Sequence, residues 1–344
     1  MRKLQKICIF IKLDCRIDYR GSPLKQRFMK LMTRVELSEF PFRISHRDPI
    51  FMMGSCFTDN IGTLLERYRF PVTVNPFGTL FNPVSVKTGM ESLLEKEQYT
   101  PQDVGEYNGS WFSFDHYTGF SSTSREKCLD GINREFFRAR KKLDDAKVLI
   151  LSWGTAWIFT EHATGRVVSN CHKIPADRFR RSRLDVQGIT EVYKPLFEKL
   201  LRVNPHMKII LTVSPVRHWK DGARENQLSK SVLLLATREL EKIFPENVFY
   251  FPSYEIVMDE LRDYRFYAGD MLHMSDQASQ YIWEIFSDAM VSDESKQIIR
   301  DLEPFVKLLN HRPWDTGKAA LAKLEEKRTQ WEKELIQKYP FIDF

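Results

Sequence analysis

The stretch PIFMMGSCFTDNIGTLL, residues 49–65, runs from an apolar segment straight into a helix-like pattern. PIFMMGS (49–55) reads as a strand buried on both faces, because a continuous apolar run, unlike an alternating one, suits the interior of a parallel sheet. In 58–69, Ile61, Leu64, Leu65 and Tyr68 fall at i, i+3, i+4 and i+7, the spacing of one helix face, with Thr58 as the candidate N-cap. A turn at Gly54 then sets Ser55 and Cys56 at a helix N-terminus. Unpaired N–H groups there hold an anion, and the helix dipole favours a thiolate or an oxyanion. Either side chain can serve as a nucleophile. The plainer alternative makes Ser55 a turn or cap residue and Cys56 a small buried hydrophobe.

Three further apolar runs follow: KVLILSWG (147–154), KIILTVSP (208–215) and NVFYFPSYEI (247–256). Helical patterns at 131–145, 189–203, 225–244 and 275–290 lie among them. Strands alternating with helices predict an α/β fold, a three-layer α/β/α sandwich with a mostly parallel sheet and right-handed crossovers. Residues 71–125, rich in Pro, Gly, Asn and aromatics, are expected to form long loops with short elements, a lid over a site. Residues 316–340 form a charged amphipathic helix with Leu321, Leu324, Trp331 and Leu335 on one stripe. It is expected to pack on the domain surface; a homodimer contact is the alternative.

With 344 residues, 42% of them hydrophobic and 28% charged, the chain suits a folded protein of enzyme size and not a disordered one. The net charge of +6 is partly concentrated at the N-terminus, so it is not read as a nucleic-acid footprint; anionic substrates stay open. Cys8, Cys15, Cys56, Cys128 and Cys171 are odd in number and contain no CxxC pair, which points away from a disulfide framework or a zinc knuckle and towards a reducing cytoplasm. The apolar run in MRKLQKICIFIKL is too short for a signal peptide, and no window reaches the roughly 18 apolar residues of a spanning helix. Neither a membrane nor a nucleic acid is expected as a partner. Residues 1–31 are expected to be a disordered extension or a start-site artefact, with the domain at 32–315 and the C-terminal helix at 316–344.

The second chemical signal is RFYAGDMLHMSDQASQYIWEIF (265–286), which holds Asp270-x-x-His273 just before a helix capped by Ser275. That position presents His273 to the carboxyl edge of the strands, with Asp270 to orient the ring and stabilise its imidazolium form. A lone DxxH means little. Paired with a first-strand Gly-Ser-Cys, it is far more specific.

Together with GSCFT, the stretches NPFGTLFNP, SWGTAWIF, VVSNCHKIPA, SPVRHWKDGARENQLSK and FYAGDMLH resemble the GSCFA family over about residues 33–290. That family is in turn similar to the SGNH/GDSL hydrolase superfamily. The resemblance implies an SGNH-like (flavodoxin-like) fold and acyl chemistry. In the superfamily's first block the nucleophilic serine stands two places after glycine; laid ungapped on Gly54, that place is taken by Cys56, while a one-residue shift would give it to Ser55. The second block implies an oxyanion-hole N–H from Gly78. The third, Gly-x-Asn, meets Gly154-Thr155-Ala156, with alanine in place of asparagine; Thr155, Asn75, Asn82 and Asn170 are the candidate substitutes. Asp270 and His273 match the last block.

Asn170, His172, Arg217 and His218 are further candidates for lining the same cleft, with Arg217 or His218 binding a carboxylate, phosphate or sugar hydroxyl. Trp111, Phe112, Phe114 and His116 could stack on a sugar or form a loop core. Ligand spacing gives no support to a metal site built from Cys56, Cys171, His172 and His218, and no cofactor is expected. The expected activity is hydrolysis of an ester on a carbohydrate or other small hydroxylated substrate. An acyltransferase and a non-catalytic glycan-binding protein are the alternatives.

Overall fold

A computed structural model describes residues 32–310 and 317–344. Five parallel strands form the central sheet: β1 (Ile50–Gly54), β2 (Val72–Val74), β3 (Val148–Trp153), β4 (Lys208–Val213) and β5 (Val248–Tyr250). Their spatial order is β2-β1-β3-β4-β5, the flavodoxin-like arrangement.

Successive residues of a strand point to opposite faces, and here each face has its own core. Phe51, Met53, Leu149, Leu151, Ile209 and Leu211 join one apolar cluster; Ile50, Met52, Val148, Ile150 and Ile210 join the other. The first cluster is covered by α2 (Pro83–Glu95), α3 (Arg125–Asp144), α4 (Val186–Val203) and α5 (Gly222–Ile243). The second is covered by α1 (Cys56–Arg67), α6 (Asp276–Met290), α7 (Asp293–Leu309) and α8 (Lys318–Lys338). The protein is therefore the three-layer α/β/α sandwich that the apolar runs predict.

Several boundaries differ from expectation. The helix after β1 starts at Cys56, not beyond Thr58, because Ser55 is the cap; Thr58 is buried and its hydroxyl donates to the Ser55 carbonyl at 2.5 Å. The run 247–256 is a strand only to Tyr250 and then turns into short helical segments, since Pro252 cannot continue the ladder. Helix α7 had no expectation. Nor did an antiparallel ribbon of Trp157–Glu161, Val167–Val168 and Phe179–Arg183, which rises from the end of β3. Helix α8 buries Leu335 and half-buries Trp331 against the second core, while Leu321 is exposed, so only part of the expected stripe is used. The expectation for residues 1–31 lies outside the described residues. Among the described residues no helix is long and apolar enough to cross a membrane.

Candidate active site at the carboxyl edge of the sheet

The chain leaves β1 towards β2 on one side and later returns to β3 on the other, so the sheet's topological switch point lies between β1 and β3. In open parallel sheets a crevice opens at the carboxyl ends of the strands there. Gly54 ends β1 opposite Ser152 of β3. It has φ +146°, and a Cβ would stand 2.1 Å from the Ser152 carbonyl oxygen, so only glycine permits this approach.

The two residues after Gly54 have opposite environments. Ser55 has no exposed surface; its Oγ lies 2.7 Å from Ser152 Oγ and accepts from the Phe57 N–H at 3.4 Å. Cys56, the first residue of α1, is half-buried and not in a disulfide. Burial pushes its thiol pKa up; its own backbone N–H and the nearby Lys230 pull it down, and Asp59 opposes them.

The turn is held by a polar bracket that removes several expected donors. Asn75, at φ +43°, accepts from the Gly54 N–H at 2.8 Å and donates to Asp59 at 2.6 Å and to Thr58 at 2.9 Å. Asn75 therefore shapes the turn and has no free amide for a ligand. Gly78 is corrected in the same way, because its N–H donates to the Asn75 carbonyl at 2.7 Å and is not open to an oxyanion. Asn82 caps α2 through Ser85, accepting from its N–H and donating to its hydroxyl, both at 2.9 Å. The Gly154 and Thr155 N–H groups both donate to the Phe81 carbonyl, and the Thr155 hydroxyl pairs with Ser229 at 3.1 Å. Asn170 accepts from the His172 N–H at 2.8 Å through its oxygen, which leaves its NH2 group for a ligand.

Asp270 and His273 form the expected pair, with Nδ1 of the ring 2.6 Å from Oδ2. The other carboxylate oxygen accepts from the N–H groups of Leu272 and His273, both at 2.9 Å. The His273 side chain and its N–H hold the Asp270 pKa down at about 2. This loop leads into α6, whose first turns lie across a groove from Asn60, Thr63, Leu64 and Arg67 of α1. Helices α1 and α6 thus lie side by side, with Cys56 opening the first and His273 two residues before the Ser275 cap of the second.

His218 packs against Gly154 and is within electrostatic reach of His273. If Gly154 carried a Cβ, it would lie 3.1 Å from His218 Nε2 and 3.5 Å from Ser55 Cβ, so this glycine admits the imidazole beside the Ser55 turn. Burial first, then the positive charges of Lys230, Arg181 and His273, lower the His218 pKa to about 4, so the ring is neutral at physiological pH. It lines a cleft of about 340 Å³ with Phe81, Thr155, Trp157, Asn170, Arg181 and Trp219 among the other walls. A cleft of this size suits a small ligand. Neither Cys56 nor His273 lines it, and His218 is the link between cleft and turn.

Two other expected lining residues lie elsewhere. Arg217 donates to the Met258 sulfur at 3.4 Å and is absent from the cleft wall. His172 stacks on Phe112 with centroids 4.4 Å apart, and its Nε2 lies 2.8 Å from the Ser113 carbonyl oxygen, where it anchors the loop. The aromatic lid residues Phe112 and His116 are likewise buried as a loop core. No group of three or more His, Cys, Asp and Glu side chains among the described residues is placed to hold a metal ion.

Sequence reading missed Lys230, which has no exposed surface. Its Nζ donates to the carbonyl oxygens of Gly154 at 2.5 Å and Ser214 at 2.6 Å. The signal was available: extending the buried stripe Leu233, Ala236 and Leu240 backwards by helical steps reaches Asn226, Ser229 and Lys230. A lysine in the phase of the core calls for an explanation.

The fold is a parallel α/β/α sandwich that carries a half-buried thiol after β1 and an Asp–His pair before α6. The GSCFA family matches residues 49–286, and the chain belongs to that family. No protein of curated function matches it. Among solved structures, one described as "a putative platelet activating factor from Streptococcus pneumonia" is similar over 71% of this chain and 84% of its own, at 11% identity and a TM-score of 0.34.

Proposed function

We propose that the protein is a hydrolase of esters, removing an O-acyl group from a carbohydrate or other small hydroxylated substrate, with Cys56 as the nucleophile. The observation that carries this reading is the contrast at the end of β1: Ser55 is sealed from solvent and tied to Ser152, whereas Cys56 is reachable at the first turn of α1. In the mechanism, the Sγ thiolate attacks the acyl carbon while the carbonyl becomes an oxyanion. The Cys56 N–H is one donor for it, and the neutral His218 ring and the Asn170 amide of the adjoining cleft would replace the donors missing at Gly78 and Ala156. His273, oriented by Asp270, takes the Sγ proton as the thiolate forms, passes it to the leaving alkoxide oxygen, and later takes one from the water that frees the acid and returns it to Sγ.

The spent N–H groups of Gly78, Gly154 and Thr155 favour a second reading, a glycan-binding protein without turnover. One experiment separates the two. The protein is exposed to a panel of activated esters, and its intact mass is followed with and without hydroxylamine. A hydrolase gives a hydroxylamine-labile acyl adduct that Cys56→Ala abolishes and Ser55→Ala retains. An adduct that survives only when a sugar alcohol is withheld marks an acyltransferase. No adduct with any ester, alongside retained glycan binding in Cys56→Ala, would leave the binding protein.

A further inference from the structure

The cleft beside His218 is larger than the acyl chemistry needs, and its walls come from two distant parts of the chain. Trp157 and Phe159 lie on one face of the antiparallel ribbon. Arg181, paired directly opposite Phe159, shares that face, which forms one wall. The other wall is the short turn Trp219–Asp221 after β4. An ion pair between Arg181 and Asp221 joins the two.

Each wall offers something a sugar can use. Trp219 is 54% exposed, and among the described residues no aromatic ring or cation packs on its indole. Such an open ring face is electrostatically negative and attracts the weakly positive C–H groups on the apolar side of a pyranose. In the other wall the Arg181 guanidinium lies 4.2 Å from the centre of the Trp157 ring and is tied to Asp221, so its plane is held. A guanidinium has five N–H groups; those the carboxylate does not take are donors in a set geometry for hydroxyl oxygens.

Charge narrows the ligand further. The cleft walls carry two cations, Arg181 and Lys220, against one carboxylate, Asp221. Arg181 and Asp221 answer each other, which leaves the exposed Lys220 ammonium without an ion-pair or hydrogen-bond partner among the described residues. His218 adds no charge, because burial keeps its ring neutral. The cleft is therefore short of one negative charge. A neutral hexose would leave it so, and a small carboxylate such as acetate would supply the charge but leave Trp219 bare.

We propose that this cleft binds the hydroxylated half of the substrate as a hexuronate residue, with its ring on Trp219, its hydroxyl oxygens at Arg181 and its carboxylate at Lys220. The inference rests on the ester reading of the site and names the substrate class within it, an O-acylated acidic sugar. His218 and Asn170, at the same cleft, stay with the acyl oxygen. A pocket that is mostly apolar with a few fixed polar groups is the usual form of a site that orients a small ligand.

The test uses no ester, so its failure is separable from a failure of ester chemistry. Methyl glycosides of the common hexuronates and of the matching neutral hexoses are titrated into the full chain by calorimetry at low salt. At least one uronoside should bind about tenfold or more tightly than its neutral counterpart, and added salt should shrink that margin. Lys220→Met should remove most of the margin and leave the neutral hexoside as it was. Trp219→Ala should weaken the uronoside about tenfold. Cys56→Ala should bind it as the wild type does. The proposal is overturned if no uronoside binds, if the neutral hexoside binds as well, if acetate competes as well as the uronoside, or if the margin survives Lys220→Met. Should Trp219→Ala lack a native circular dichroism spectrum, the wild-type and Lys220→Met titrations decide alone. Uronoside binding without an acyl adduct in the trapping assay defeats the hydrolase and keeps the sugar site; an adduct without uronoside binding does the reverse.

Discussion

The hydroxyl oxygens of Ser55 and Ser152 lie 2.7 Å apart with both side chains sealed from solvent. This bond joins the ends of two neighbouring strands and makes Ser55 part of the scaffold that presents Cys56. Replacing Ser55 with alanine removes a helix cap and leaves Ser152 without that partner, a loss of about 1–3 kcal/mol in chemical denaturation. Cys56→Ala should change stability far less and remove acyl trapping. Ser55→Ala that folds but no longer forms the adduct would assign the nucleophile to the wrong residue.

Gly154→Ala probes the approach of His218. The added methyl would stand 3.1 Å from His218 Nε2 and 3.3 Å from the Phe81 carbonyl oxygen, so the imidazole must give way. Turnover should fall about tenfold or more through misplacement near the reacting atoms. The His218 ring resonances should move in the same variant. Unchanged ring shifts with lost activity would separate His218 from the effect.

Asp270→Asn leaves the loop a hydrogen-bonding side chain but removes the charge that faces His273 Nδ1. Turnover should drop roughly 10²–10⁴-fold, the range for a disrupted general acid–base. Since the Asp270 pKa is held at about 2, the carboxylate is ionised across the working range, and the rate above pH 4 should carry no limb from it. A wild-type acid limb above pH 4 that disappears in Asp270→Asn yet persists in His273→Ala would contradict this.

Two buried bases give stability a defined pH dependence. His218 has a folded pKa of about 4, below its ordinary 6.5, so the unfolded chain binds the extra proton between these values and stability falls as pH drops through that window. Lys230, at about 7 against 10.5, acts likewise higher up: its burial penalty is full below pH 7 and fades as pH rises to about 10.5. Each one-proton difference corresponds to a slope of about 1.4 kcal/mol per pH unit. Denaturant titrations should show stability rising between pH 7 and 10, and Lys230→Met should flatten that segment and, by removing a charge that depresses His218, narrow the one below 6.5. An equal slope in both proteins would show that the lysine is not the source.

Much of this architecture was legible because its causes are local. Continuous apolar runs marked β1, β3 and β4, since a strand covered on both faces has no polar side to show. Gly54 followed by a helical stripe placed Cys56 at a helix N-terminus, and DxxH before a capped helix placed the Asp270–His273 pair. The three residues of β2 were too short to give a pattern, and the ribbon at 157–183 mixes Trp157 and Phe159 with Arg181 and Arg183, a composition without period that forms strands only by pairing.

What the sequence determined by itself is the order of elements and the residue types that reach the sheet's carboxyl edge, because periodicity along the chain fixes which side of each element is apolar. Which of two adjacent residues faces the solvent, which amides are spent inside the bracket of Asn75 and Phe81, and that Lys230 is buried against the Gly154 and Ser214 carbonyls were decided only in three dimensions. Those outcomes depend on hydrogen bonds between segments about 20 to 100 residues apart, whose partners are chosen by packing and leave no periodic trace in either segment.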